Sequence, residues 1–189
     1  MIHDTRVNVV RHAPPLKEGL CYGQCDVEVA LSAEEAAERV LPQIPYTIAR
    51  LYCSPSKRTH SLAMALSVRT GLEVIVDIRL KELHFGTWEG RTWSEIHLAE
   101  PDELNTWATQ PMLMAPPQGE SGRKLVLRIL SFVHQTTLEN ALIVGHAGPI
   151  RALRALGALA PHARNAENVV RFDFDRAVVP LDVETIPWK

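Results

Sequence analysis

The sequence predicts an α/β fold, a three-layer α/β/α sandwich around a mostly parallel sheet with an antiparallel edge. Short apolar strands alternate with helical stripes along the chain, the order that builds parallel sheets flanked by helices. Two strands, Val7-Asn8-Val9-Val10 and Ala141-Leu142-Ile143-Val144, run straight into Arg11-His12 and Gly145-His146-Ala147-Gly148. Strand carboxyl ends are where open α/β sheets bind ligands. The chain has 189 residues and is 46% hydrophobic, enough to bury one core, so a single domain over residues 1–189 is expected.

Each element has a local cause. The Pro/Gly-containing stretch from Pro14 to Gly23 reads as a surface loop. Ser32-Ala33-Glu34-Glu35 reads as a capping box, in which the hydroxyl caps the helix and Glu35 reaches back. Ala33, Ala36, Ala37, Val40 and Leu41 then share one helical face, and Pro42 ends the helix. Leu51-Tyr52-Cys53 is a short strand. Ser54-Pro55-Ser56 turns into a helix running to Thr70, with Gly71 at its left-handed stop.

Leu72 to Val76 is the next strand. His84 to Pro117, with three of the four tryptophans, reads as short helices and loops forming a lid or side wall. Leu125, Val126, Ile129, Leu130 and Val133 form another helical stripe. After the Ala141 strand, a helix is expected near Pro149 and on through Leu156. Val169 to Phe174 and Val178 to Val183 read as closing strands, an antiparallel pair about Asp175-Arg176.

The formal net charge of −2 provides no global basic field for nucleic acid or an anionic membrane, so any anion site is local. No apolar run approaches the ~20 residues of a membrane span, and Met1-Ile2-His3-Asp4 opens no signal peptide. Cys21, Cys25 and Cys53 are sparse and odd in number, as for reduced thiols, and no His/Cys cluster of zinc spacing surrounds them. A cytoplasmic location and no metal or other cofactor are expected.

The chemistry gathers at the turns. A neutral imidazole can attack phosphorus, splitting hydrolysis into two displacements, and the neighbouring Arg11 offers a planar fork for phosphate oxygens. Arg58 falls in the first turn of a helix, where unpaired N–H groups attract anions and a cation opposes the dipole. His146 also precedes a helix, between glycines that let backbone approach a ligand. Glu82 supplies a carboxyl group able to protonate a departing alkoxide. Each signal alone also fits an ordinary turn, a buried histidine or a solvated charge; together they describe one pocket. His3, His60, His97, His134 and His162 are scattered and carry no assigned role. Trp88 and Trp93 read as core, and no P-loop, dinucleotide fingerprint or Gly-x-Ser-x-Gly elbow occurs.

Arg11-His12, Ser54 to Thr59, Lys81 to Gly90, Gly119-Glu120-Ser121 and Gly145 to Gly148 together resemble, in order, the motifs of the histidine phosphatase superfamily, also called phosphoglycerate mutase-like. Cys21 to Val27 and the short Glu82–Gly90 segment are most similar to its α-ribazole phosphatase branch, which acts on α-ribazole 5′-phosphate in cobalamin assembly. The resemblance implies a metal-independent phosphomonoesterase with His12 as the phosphorylated nucleophile. Arg11, Arg58 and His146 would hold the phosphoryl oxygens, and Glu82 would act as acid and then base. His146 counts among the catalytic residues on this reading. Gln24 and His84 are the substrate-binding candidates, Gln24 for an extra phosphate contact and His84 as either a wall residue or a catalytic one.

Two departures bear on this reading. The family's Arg-His-Gly is Arg11-His12-Ala13 here, which would cost ~1–2 kcal/mol if the site required positive φ; Pro14 instead favours an extended backbone. Where the family places Thr and then Asn, this chain has Pro14-Pro15-Leu16-Lys17. Rival readings are a mutase-type isomerase, which needs a lid that excludes water, a broad-specificity sugar-phosphate phosphatase, and a weakly catalytic phosphate-binding module. A homodimer paired through the Leu153–Leu159 region is a further expectation.

Overall fold

The computed structural model describes residues 5–169 and 178–188. Among these residues the strands are β1 (Thr5–Arg11), β2 (Arg50–Cys53), β3 (Val74–Val76), β4 (Ala141–Gly145) and β5 (Glu184–Trp188). They form one sheet in the order β3-β2-β4-β1-β5. The β1–β4, β2–β4 and β2–β3 pairs are parallel, and β5 runs antiparallel to β1. The helices are α1 (Ala33–Val40), α2 (Lys57–Thr70), α3 (Trp93–Ala99), α4 (Pro101–Thr109), α5 (Gly122–Gln135) and α6 (Ala147–Ala158).

Strand alternation divides the core into two layers. Val7, Val9, Tyr52, Ala141 and Ile143 pack with Leu125, Val126, Ile129 and Phe132 of α5 and with Ile150, Leu153 and Leu156 of α6. Val10, Leu51, Cys53, Leu142 and Val144 pack instead with Ala36, Ala37 and Val40 of α1 and with Leu62, Ala63 and Leu66 of α2. Successive strand residues face opposite ways, so the apolar runs of β1 and β4 supply both faces. All five residues of β4 are buried, as expected for a central strand covered on both sides. The three-layer sandwich follows.

Local predictions fare well where side-chain chemistry is decisive. Ser32 and Glu35 make the reciprocal capping box, and Gly71 ends α2 at φ 73°. Pro42 lies in a 3₁₀ turn, Leu41–Gln43, that follows α1. The lid segment contains α3 and α4, and Trp88 is buried against Ile96 and Cys21, with Trp93 packed on that cluster. Trp88 meets the Glu100 carboxylate through its indole N–H at 2.8 Å.

The helix expected near Pro149 forms as α6, starting at Ala147 with His146 as its N-cap. Two expectations change. The third strand begins at Val74 rather than Leu72. Val178 to Val183 is not a strand, and the antiparallel edge is Glu184–Trp188. Pro180 lacks a donor N–H and makes only an isolated bridge to Arg11, while Leu181 adopts φ 62°, so a regular ladder starts beyond them. Of the other expected closing strand, Val169 to Phe174, all but Val169 lies outside the described residues, as does the turn at Asp175-Arg176. In the Leu153–Leu159 region Leu153 and Leu156 are buried in the core, while Ala158 is exposed and Ala155 and Leu159 are half-buried.

Candidate active site

Sheet register brings the two histidines together. The last β1–β4 pair is Arg11 with Gly145, and the His12 N–H continues the ladder to the Gly145 carbonyl at 3.2 Å. His12 and His146 are therefore the next residues along neighbouring parallel strands. Their rings lie 5.1 Å apart, centre to centre, inclined at 64°. β2 ends one strand over, where the Ser54 N–H donates to the Val144 carbonyl and Ser54 Oγ lies 2.9 Å from His146 Nε2.

The protonation of His12 is set from both sides. Its Nδ1 lies 2.6 Å from the Ala13 carbonyl, which only accepts, so Nδ1 carries the hydrogen. Arg58 Nε, which only donates, lies 3.2 Å from His12 Nε2, so Nε2 presents its lone pair. Burial pushes the His12 pKa down to about 3, with the Arg58 and Arg11 charges adding to the shift and the Ala13 hydrogen bond opposing it. His146 is held well below the ordinary histidine value by burial first, then by His12, Arg58, Arg11 and Arg128. Both imidazoles are neutral near pH 7.

The two arginines are held differently. Arg58, in the first turn of α2 as expected, is buried and gives Nη1 to the Cys25 carbonyl at 2.8 Å and Nη2 to the Gly23 carbonyl at 2.7 Å. Its helix start has no side-chain cap, and carbonyls rather than carboxylates receive its charge. Arg11 gives Nη1 to the Val178 carbonyl at 3.2 Å. Burial lowers both guanidinium pKa values, and in each case the Glu82 charge opposes that shift. Arg11 Nε and His146 Nδ1 are buried polar atoms with no protein partner among the described residues. One comes from each of the two matched strand ends, and a phosphoryl oxygen is the kind of group such atoms satisfy.

Glu82 sits beside the second histidine. Its Oε1 accepts from the Leu83 N–H at 2.8 Å and from the Gly148 N–H at 3.0 Å. A Cβ on Gly148 would lie 2.2 Å from that oxygen, so the carboxylate requires glycine there. Gln24 donates Nε2 to the Glu82 carbonyl at 3.0 Å, and its backbone N–H reaches Glu89 Oε1 at 2.9 Å. Gln24 thus braces Glu82. His84 is half-buried and takes part through its backbone, its N–H meeting Glu120 Oε1 at 3.0 Å.

Ala13 is buried and also lies, with Arg58, in the wall of an apolar cleft of about 490 Å³ between α1 and α2. Among the described residues positive φ outside glycine occurs only at Gln118, Asn140 and Leu181. Alanine therefore meets no left-handed strain at position 13, and that expected cost does not arise.

Ser54, Glu89, Glu120 and Arg128 also enter the site, with no role assigned from the sequence. The first three stand inside the matched motifs, whereas Arg128 lies between members of the apolar stripe of α5, on a helix that also carries Arg123 and Lys124, and has no local signal. Among the described residues, no three His, Cys, Asp or Glu side chains are grouped as a metal site, and no helix is long and apolar enough to cross a membrane.

Two neutral imidazoles, a buried guanidinium and a half-buried one thus gather at the carboxyl ends of the sheet, a donor set suited to a phosphoryl group. The family model of the histidine phosphatase superfamily (branch 1) matches residues 7–170. A Hydrogenobacter thermophilus protein named provisionally as phosphoserine phosphatase 2 is 29% identical over 157 residues, covering 80% of this chain and 77% of that one. The glucosyl-3-phosphoglycerate phosphatase of Mycolicibacterium vanbaalenii is 32% identical over 148 residues, 70% of this chain and 64% of the relative. The solved α-ribazole phosphatase of Shigella flexneri superposes with a TM-score of 0.73 over 84% of this chain and 83% of its own, at 20% identity. That last likeness concerns the fold. The chain belongs to the histidine phosphatase superfamily, branch 1, and is a phosphatase of that superfamily, a phosphoric monoester hydrolase.

Proposed function

We propose that this phosphatase cleaves small phosphomonoesters, without a metal, through a phosphohistidine on His12. The observation that carries the reading is the doubly determined tautomer, which aims the His12 Nε2 lone pair at Arg58. An incoming phosphoryl oxygen takes over the Arg58 Nε–H, and the freed lone pair attacks phosphorus. The bond from phosphorus to the ester oxygen breaks, and the leaving alkoxide takes a proton from the Glu82 carboxyl group. In the second displacement water gives a proton to the Glu82 carboxylate and attacks phosphorus. The Nε2–P bond then breaks and inorganic phosphate leaves. Arg11, Arg58 and His146 hold the phosphoryl oxygens through both steps, placing fixed donors where charge gathers. The Ala13 carbonyl stabilises the ring cation of the intermediate.

The substrate we assign is α-ribazole 5′-phosphate in a cytoplasmic route to cobalamin, on the resemblance of Cys21 to Val27 and of Glu82 to Gly90. A second reading, an ester whose alcohol carries a carboxylate, is favoured by the phosphoserine and glucosyl-3-phosphoglycerate phosphatases at 29% and 32% identity. Gln24 and His84 are the substrate-binding candidates in both. Phosphate release is to be measured, with chelator present, from α-ribazole 5′-phosphate, phosphoserine, glucosyl-3-phosphoglycerate and 3-phosphoglycerate. Selective release from the first supports the assignment. Selective release from a carboxylated ester replaces it, and isomerisation of 3-phosphoglycerate without release removes the phosphatase reading.

A further inference from the structure

We infer that Arg128 is a positioning residue that holds the Glu82 carboxyl group in line with the leaving oxygen. This inference rests on the reading of Glu82 as proton donor. Arg128 lies in α5, off the strand ends, yet its guanidinium reaches the segment that bears Glu82. Its Nη2 donates to the Glu82 carbonyl at 2.9 Å and its Nη1 to the Arg79 carbonyl. The same fork pairs with Glu120, Nη2 to Oε1 at 2.6 Å and Nε to Oε2 at 3.2 Å. Glu120 in turn accepts the His84 N–H through Oε1 at 3.0 Å and donates its own N–H to the His84 carbonyl at 2.8 Å.

One ion pair thus grips the backbone on both sides of Glu82, at Arg79, Glu82 and His84. No helix or strand covers residues 81–85, so these bonds replace the ladder that would otherwise hold the loop. From the opposite side the Gly148 N–H meets the Glu82 carboxylate. Backbone above and carboxylate below are tied separately, which leaves the side chain little freedom. Both members of the pair are largely withdrawn from water, their side chains 19% and 15% exposed. Four of the five Arg128 donors are used in these contacts, and none of those four bonds goes to a group that holds the phosphoryl oxygens. Beyond the field of its charge at His146, the contact it makes with the site runs through Glu82. Geometry at this level matters because a displacement of about 1 Å in a catalytic group costs on the order of 10²-fold in rate.

The test compares kcat/KM for an alkyl phosphate, whose alkoxide needs a proton, with that for 4-nitrophenyl phosphate, whose phenolate does not. This parameter reports the first displacement alone. Arg128→Met is expected to slow the alkyl ester by roughly 10- to 100-fold and the nitrophenyl ester far less. Arg128→Lys keeps the charge without the fork and should show the same selectivity at smaller size; it carries the test if the Met variant does not fold. Equal losses on both esters, or no loss on either, overturn the inference. Glu82→Gln is run in parallel. If it shows selectivity and the Arg128 variants do not, the positioning role fails alone. If Glu82→Gln is itself unselective, the proton-donor reading fails and the inference with it.

Discussion

Arg58 donates its Nε–H to Nε2 of His12 across 3.2 Å, although both side chains are buried. A cation usually avoids such a place, and Arg58 is tolerated because the Gly23 and Cys25 carbonyls take its other donors. Arg58→Lys keeps a charge but loses the planar fork. Turnover of 4-nitrophenyl phosphate is expected to fall by roughly 10²- to 10³-fold, the usual loss for a preorganised donor at a developing charge. The melting temperature should also fall, because carbonyls left unpaired in the interior cost about 1–3 kcal/mol. Wild-type turnover by the lysine variant would remove Arg58 from the site.

His12 carries a pH prediction with a definite sign. Its pKa is lowered in the fold to about 3, from 6.5 in the open chain, so the unfolded state binds the proton first as pH falls. Above about pH 6.5 the group contributes nothing to pH dependence; between there and about pH 3 it progressively destabilises the fold. One such histidine costs about 2 kcal/mol near pH 5, and His146 acts in the same direction. Urea unfolding at about pH 7 and pH 5 should show a smaller acid loss for His12→Asn than for the wild type. An identical loss in both would contradict the depressed pKa.

The carboxyl group of Glu82 is expected to matter in proportion to the basicity of the leaving group. Glu82→Gln should slow an alkyl phosphate by roughly 10²- to 10⁴-fold in kcat/KM, the usual range for general acid catalysis, and slow 4-nitrophenyl phosphate far less. A leaving-group series with uniform losses would place the proton donor elsewhere.

Ser54 Oγ lies 2.9 Å from His146 Nε2 and 3.3 Å from Ser56 Oγ, and among the described residues His146 Nδ1 has no protein partner. The Ser54 hydroxyl has one hydrogen: turned to His146 Nε2 rather than to Ser56, it leaves Nδ1 the hydrogen to give to a phosphoryl oxygen. Ser54→Ala removes that choice. Phosphate, as a competitive inhibitor, should bind several-fold more weakly to the variant, a change read in Ki. An unchanged Ki would show that His146 orients without Ser54.

Ala13→Gly restores the family's usual residue, yet it should not raise turnover, because Ala13 needs no positive φ. Stability should drop by about 1–2 kcal/mol through added chain entropy and a lost buried methyl, visible in the melting temperature. A clear gain in turnover would mean that the methyl crowds the phosphate.

Much of this protein was decided locally and could be read from its residues. Ser32 and Glu35 close a capping box, Gly71 ends a helix, and the apolar runs of β1 and β4 specify strands, because each depends on neighbours a few positions away. The meeting of His12, Arg58 and His146 was open to reading because parallel strands deliver their carboxyl ends to one edge of a sheet, whereas Glu82 arrives on a loop beyond β3. Other features required the tertiary structure. The edge strand falls at Glu184–Trp188 because Pro180 and Leu181 interrupt the preceding segment only in the context of pairing with β1. Leu153 and Leu156 of α6 face the core, a choice of side that the sequence stripe alone leaves open. Gln24 and Arg128 converge on the Glu82 carbonyl from 58 and 46 positions away. Hydrogen bonds at such separations obey no periodicity along the chain; they arise only when packing has brought their backbones together.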